Sequence, residues 1–312
     1  MTVVVLGGSG FLGSHLCDAF LAQGRNVIAV DDLSTGRLQN IEHLTGNKSF
    51  KFIQADISLG LPNLGAPELI LNFASPASPP AYLSMPIHTM RTGSLGTMHA
   101  LELASSTNAR FIMASTSEIY GDPFEHPQNE SYWGNVNPIG VRSCYDEAKR
   151  YAESLTFAFQ RERGTNIGIV RIFNTYGPRL DPNDGRVVSN FIMAATRNKP
   201  LNIYGDGSQT RSLCYVSDLV DGILRMADSE ISGPINLGNP NEMTILQLAR
   251  QIIELTNSSS IINFQSPLSD DPQQRNPNIS LAKAELDWHP GTTLEHGLKS
   301  TIHWMNTMEA II

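Results

Sequence analysis

The stretch MTVVVLGGSGFLGSHLCDAFLAQG, residues 1–24, decides the fold. Residues 3–6 are an unbroken apolar run, as expected of a strand covered on both faces. Gly7-Gly8-Ser9-Gly10-Phe11-Leu12-Gly13 follows at once and fits both G-x-x-G-x-x-G and G-x-G-x-x-G. The pattern then turns helical over 11–23. Strand, glycine loop and helix in that order let bare backbone approach a pyrophosphate at the positive end of the helix. Gly7, Gly10, Phe11, Leu12 and Gly13 are therefore candidate cofactor contacts. A glycine motif alone also fits a purely structural turn, so its surroundings decide.

Those surroundings repeat the alternation. Short β-type segments are predicted at 26–30, 50–55, 68–73 and 110–114, and helices at 87–105 and 142–163. Only the second-to-third connection lacks a clear helix. Apolar strands alternating with helices predict an α/β fold, a doubly wound, Rossmann-type parallel sheet. A further strand over 166–173 ends in NTYGP, after which turn clusters become frequent. Residues 1–174 are read as a dinucleotide-binding domain carrying the catalytic residues. Residues 175–312 are read as mainly a smaller substrate-binding lobe, with some segments returning to the sheet.

Asp31 falls at the end of the second strand, where a carboxylate hydrogen-bonds an adenosine ribose and repels a 2′-phosphate. The expected cofactor is NAD rather than NADP, with Arg37 too far downstream to reverse the preference. Asp32 is a second ribose partner or a turn residue. Ser34, Thr35 and Gly36, with Asp56 and Ile57 after the third strand, complete the candidate contacts around the adenosine.

Tyr145 and Lys149 lie one helical turn apart on the same helix face. A phenol is a poor base at neutral pH; bringing its pKa down by about three requires roughly 4 kcal/mol of differential stabilisation. A nearby ammonium and a positive nicotinamide ring act in that direction. The pair alone is common on ordinary helices, but here it accompanies a dinucleotide fingerprint and the hydroxyls Ser115-Thr116-Ser117 at a strand's carboxyl end.

Together these features resemble the extended short-chain dehydrogenases/reductases. Three strings are similar to the UDP-glucuronate decarboxylase branch of that family: NFASPASPPAY (72–82), TSEIYGDPFEHPQNESYWGNVNPIGVRSCYDEAKRYAE (116–153) and RIFNTYGPRLDPNDGRVVSNF (171–191). YGDGSQTRSLCYVSDLVDG (204–222), NLGNP (236–240) and DDPQQRNPNI (270–279) extend the resemblance over nearly the whole chain. It implies an NAD-dependent enzyme that oxidises a sugar at C4, loses CO2 from C5 and then reduces C4 again. Thr116, Glu118, Tyr145 and Lys149 are the implied catalytic residues, the last two also touching the cofactor together with Thr175 and Arg186. Tyr82, Arg91, Asn174, Arg211 and Arg275 are implied to bind substrate, with Asn174, Arg211 and Arg275 on the diphosphate. Arg186 is equally readable as a surface ion-pair residue, and Tyr82 as an aromatic packed on prolines.

Related 4,6-dehydratases carry Asp-Glu where this chain has Ser117-Glu118, and that Asp protonates the departing hydroxyl. Serine is a poor general acid, so Ser117 argues against dehydration. His99, Phe159 and Asp181 depart from the branch's usual asparagine, tyrosine and histidine, the first two at positions expected near the substrate. A nucleotide-sugar (uronate) 4-epimerase is the alternative on the same fold. A non-catalytic NAD-binding regulator is the remote one.

A net charge of -8 opposes nucleic acid and anionic membrane. Cys17, Cys144 and Cys214 are odd in number and widely spaced, which predicts a reducing compartment and no disulfide framework. No His-x-x-x-His pair suggests a metal. With no leader pattern and no long apolar run, the expectation is a cytoplasmic protein, and by the resemblance a homodimer through helices 87–105 and 142–163.

Overall fold

A computed structural model describes residues 1–266 and 275–309, so residues 270–274 of the DDPQQRNPNI string lie outside the described residues. In β1 (Thr2–Leu6), Val3 and Val5 enter the core on one face of the sheet, Val4 and Leu6 the core on the other. That is the two-residue period of a strand covered on both sides. Next come α1 (Phe11–Ala22), β2 (Asn26–Asp31), β3 (Phe50–Gln54) and β4 (Leu69–Asn72). α2 (Pro79–Ser84), α3 (Pro86–Arg91), a π-turn at Thr92–Gly96 and α4 (Thr97–Thr107) lead to β5 (Arg110–Thr116). α5 (Ser143–Arg163) then leads to β6 (Ile167–Ile172).

The rest of the chain supplies β7 (Thr175–Tyr176), α6 (Val187–Thr196), β8 (Leu201–Tyr204), β9 (Thr210–Ser212), β10 (Cys214–Tyr215) and α7 (Val216–Ala227). It continues through β11 (Ile235–Leu237), β12 (Glu242–Thr244), α8 (Ile245–Leu255), β13 (Ile262–Gln265), α9 (Ser280–Leu286) and α10 (Leu294–Glu309). The central sheet has seven strands in the order β11-β6-β5-β4-β1-β2-β3. All its pairings are parallel. The α/β, Rossmann-type expectation therefore holds. Strand order reverses between β1 and β4, which opens a crevice at the carboxyl ends where ligands bind in such sheets.

One expectation about the connections is corrected. The third-to-fourth connection, like the second-to-third, has no α-helix; it contains only a short 3-10 turn at Ile57–Leu59. Gly60, Pro62, Gly65 and Pro67 follow that turn, and proline and glycine both oppose helix propagation. The predicted helix 87–105 runs from α3 to α4 through the π-turn. There Gly93 and Gly96 allow close approach, since a Cβ would stand 2.8 Å from Ala148 Cβ and from Ile57 Cδ1 respectively.

A third core lies between α6, α8 and α10, with Phe191, Ile192, Leu248, Ile252 and Leu298 at its centre. β11 extends the main sheet beside β6. Leu219 and Ile223 of α7, with Trp288 after α9, join the core on the β1 Val3 face. All three cysteines are buried and unpaired. Among the described residues no helix is long and apolar enough to cross a membrane.

Candidate active site

The crevice holds a cavity of about 660 Å³, floored by the glycine loop, β5, β6 and the start of α5, and roofed by β7, α6 and the β9 region. At its floor Gly7 (φ +80) turns the chain, and its N–H donates to the Val30 carbonyl at 2.7 Å. The N-terminus of α1 carries no capping side chain and no acidic residue in its first turn. Its first N–H groups therefore have no side-chain partner and a positive field, which suits a pyrophosphate.

Asp31 sits beside a second, smaller cavity that also touches Gly7, Gly10, Ser34, Thr35, Asp56 and Ile57. Its Oδ2 accepts from Ser9 N–H at 3.0 Å and its Oδ1 from Leu33 N–H at 2.9 Å, so each oxygen can still accept a ribose hydroxyl. Burial pushes the Asp31 carboxyl above its ordinary value, against those hydrogen bonds. Gly36 backs it, since a Cβ there would lie 2.5 Å from Asp31 Oδ1. Asp32 accepts from Ser34 N–H at 2.8 Å and also reaches His88 Nε2 at 3.0 Å. His88 Nδ1 is 3.9 Å from Asp56, so one imidazole bridges both carboxylates. Sequence spacing carried no sign of His88, because α3 brings it in from a different connection. The donor set fits a dinucleotide without a 2′-phosphate. Arg37, a cation on the loop that follows, is ion-paired with Asp181.

At the other end of the cavity α5 presents Tyr145 and Lys149 toward β5. Lys149 Nζ donates to the Ala114 carbonyl at 2.8 Å and stands 5.8 Å from the centre of the Tyr145 ring. Burial lowers the lysine pKa to about 8, against the opposing pull of Glu153. Burial pushes Tyr145 up to about 12, while a hydrogen bond with Thr116 and the Arg186 charge pull the other way. The phenol is thus a neutral hydroxyl at neutral pH. Tyr82 stacks on Tyr145 with ring centres 5.1 Å apart and planes 10° from parallel. Its hydroxyl is buried with no hydrogen-bond partner, and the residue lines the cavity.

Thr116 ends β5, and its Oγ1 accepts from Glu118 N–H at 3.2 Å. Ser117 and Glu118 both line the cavity. Glu118 Oε2 accepts from Arg142 and, at 2.9 Å, from Arg275. Burial alone would favour the neutral acid, but the Arg275 and Arg142 charges outweigh it and hold the carboxyl below its ordinary range. Arg142, which sequence reasoning missed, stands at the N-cap of α5, where only tertiary contact reveals its partner.

Several expected substrate contacts fall differently. Arg275 was expected on a diphosphate; its η nitrogens instead bond Glu118 and the Gly121 carbonyl, at the Tyr145 end. Arg91 is exposed and lines neither cavity, because the helix turns Thr89, Thr92 and Gly93 inward and Arg91 to the opposite side. His99 and Phe159, expected near the substrate, are not there either. His99 Nδ1 bonds the Ile57 carbonyl at 2.8 Å, and Phe159 is buried in the sheet's helical core under Arg163. Asn174, Thr175, Arg186 and Arg211 line the cavity. Arg186 pairs with Asp184 at 2.6 Å within it.

The model of the NAD dependent epimerase/dehydratase family matches residues 3–238. UDP-glucuronic acid decarboxylase 1 of Xenopus tropicalis is 49% identical over 302 residues, 97% of this chain and 71% of that protein. UDP-glucuronic acid decarboxylase 4 of Arabidopsis thaliana is 50% identical over 298 residues, 96% of this chain and 67% of that protein. Among solved structures, UDP-glucose 4-epimerase of Thermotoga maritima with UDP-glucose superposes with a TM-score of 0.90 at 28% identity, covering 99% of this chain and 100% of that one. UDP-glucuronic acid 4-epimerase of Bacillus cereus, with UDP-glucuronic acid and NAD, gives 0.88 at 27% identity over 99% and 100%.

Proposed function

This chain belongs to the NAD dependent epimerase/dehydratase family, and within it we propose that the chain decarboxylates UDP-glucuronate to UDP-xylose through a 4-keto intermediate. The observation that carries the reading is Glu118, a carboxylate held between Arg142 and Arg275. Two guanidiniums against one carboxylate leave a net positive charge at the sugar end, complementary to a C5 carboxylate. Ser117 lines that end, and a serine hydroxyl is too weak an acid to expel a hydroxyl as a dehydratase needs.

The chemistry that bound NAD supplies is acceptance and return of the C4 hydrogen as hydride, so the cycle is redox-neutral. Gly7, Gly10 and Gly13 would hold its pyrophosphate, Asp31 its adenosine ribose, Asp56 and Ile57 its adenine end, and Lys149 and Thr175 its nicotinamide half. Tyr145 takes the C4 hydroxyl proton. Bringing that phenol from about 12, a value on which the Arg186 charge already acts, to neutrality demands roughly 7 kcal/mol, and Lys149, 5.8 Å from the ring, is a cation placed to favour the phenolate. The C4 ketone is β to the C5 carboxylate, so the electron pair released with CO2 moves into the carbonyl. Tyr145 and Thr116 hydrogen-bond that oxygen as its charge grows.

Asn174 and Arg211 would hold the diphosphate, with Arg186 beside it, and Tyr82 the sugar. Residues 175–312 are then mainly the nucleotide-sugar lobe. Ile87 (70% exposed), Leu95 and Tyr151 leave apolar surface along α3, the π-turn and α5, which supports a homodimer through these helices. Three buried thiols suit a cytoplasmic enzyme.

Mass spectrometry of products from a panel of nucleotide sugars tests the reading. A UDP-pentose and CO2 from UDP-glucuronate are expected. Return of a hexuronate inverted at C4 would overturn it in favour of the epimerase, the activity of the Bacillus cereus neighbour.

A further inference from the structure

Asp146 is buried at 7% exposure, and its Oδ1 has no hydrogen-bond partner. A buried polar atom without a partner calls for an explanation. On α5 the residue lies one turn after Arg142 and one turn before Arg150, so the three share a helix face. Arg142 bonds Glu118, and Arg150 Nη1 bonds the Ile119 carbonyl at 2.9 Å. Asp146 therefore lies on the face of α5 turned toward the Ser117–Tyr120 turn, and the cavity that Glu118 lines is not lined by Asp146.

The charged and titratable groups acting at this place come from every neighbouring element. They are Glu118 from the turn, Arg275 from the C-terminal segment, Tyr82 from α2, and Arg142, Cys144, Tyr145 and Glu147 from the α5 region. Two carboxyls thus share two guanidiniums. Glu118 engages both arginines and stays ionised, which leaves Asp146 to keep a proton. Burial, then the Glu118 charge, push its carboxyl up to about 7.

Loss of CO2 from a carboxylate requires one proton at the carbon left behind. Resting on the decarboxylase reading, we propose that Asp146 stores the proton that Glu118 delivers to C5 after CO2 has left. The electron pair of the C5–C6 bond enters the C4 carbonyl as an enolate. The proton passes from Asp146 to Glu118, and the Glu118 O–H bond then breaks as the enolate pair forms the C5–H bond, restoring the ketone. Asp146 regains a proton from solvent, one for each CO2 released. It acts through Glu118 and touches no reacting atom, so it is a positioning residue.

The experiment uses the full chain with its bound cofactor and UDP-glucuronate in single turnover, following CO2 and pentose separately from pH 6 to 9. In the native protein the pentose-forming step slows as pH rises through about 7, because the stored proton is lost. Asp146→Asn is expected to release CO2 within about twofold of the native rate, yet form pentose at least ~10-fold more slowly and with no dependence on pH in this range. Asp146→Glu should restore both the rate and a pH limb, displaced from the native one. An Asn variant that keeps the native limb, or forms pentose as fast as CO2, overturns the proposal. If the Asn variant loses its cofactor, Asp146→Glu decides alone, and a limb identical to the native one overturns it. A native protein that releases no CO2 defeats the decarboxylase reading and this proposal together. Normal decarboxylation with an unaffected variant defeats only the role of Asp146.

Discussion

Gly13→Ala inserts one methyl group where α1 leaves the glycine loop. A Cβ there would stand 2.0 Å from the Gly7 carbonyl oxygen, 2.8 Å from the Gly7 carbonyl carbon and 2.9 Å from Gly8 Cα. All three are backbone atoms, so no side-chain rotation relieves the overlap. Overpacking of this kind costs about 1–3 kcal/mol of stability. The larger effect falls on the cofactor, because the helix and the turn that would face its pyrophosphate are forced apart. Losing two charge-assisted hydrogen bonds at about 1.5 kcal/mol each weakens binding roughly 100-fold. Calorimetric titration of NAD into stripped protein, with a thermal melt alongside, reads both quantities. Gly291→Ala is the control, since a Cβ there meets nothing within 4 Å. A Gly13→Ala protein that binds NAD within about threefold of the native value would refute the placement of the pyrophosphate.

Tyr145→Phe keeps the ring stacked on Tyr82 but removes the base, so NAD content should persist while turnover falls at least ~100-fold, as steady-state assay would show. Asp146→Asn should affect stability with a defined sign. The native carboxyl has its pKa raised from 3.8 to about 7, so the folded state loses stability as pH rises between those values and holds the full cost above them. Chemical denaturation should therefore find the variant gaining on the native protein by a few kcal/mol more at pH 8 than at pH 4, on the order of 1.4 kcal/mol per pH unit of the shift. UDP-glucose and dTDP-glucose should yield no 4-keto-6-deoxy product by mass spectrometry, because Ser117 is no leaving-group acid; such a product would end the distinction from dehydratases.

What the sequence made legible were the features set by local pattern. The glycine loop, Asp31 and the Tyr145/Lys149 spacing are each contained within one strand, loop or helix, and periodicity places them without tertiary knowledge. The α/β class followed from the same periodicities. The Glu118–Arg142–Arg275 cluster was not legible, because its members come from three separate segments and only the folded chain brings the arginines onto one carboxylate. His88 between Asp32 and Asp56 is the same case. Arg91 shows a different limit: matching a position fixes where a residue lies along a helix, while packing of Gly93 against Ala148 fixes which way the helix is turned. His99 looked like a specificity change and is a structural hydrogen bond to the Ile57 carbonyl.

Decarboxylation through a 4-ketone is tested most directly by converting UDP-glucuronate in D2O and reading the product by NMR. One deuterium at C5 is predicted, because that carbon is reprotonated after CO2 leaves, and none at C4, because its hydrogen leaves and returns on the cofactor. Each pentose should be matched by one CO2, with no reduced nicotinamide accumulating. Deuterium at C4 would contradict hydride return. A hexuronate inverted at C4, formed without CO2, would contradict decarboxylation itself.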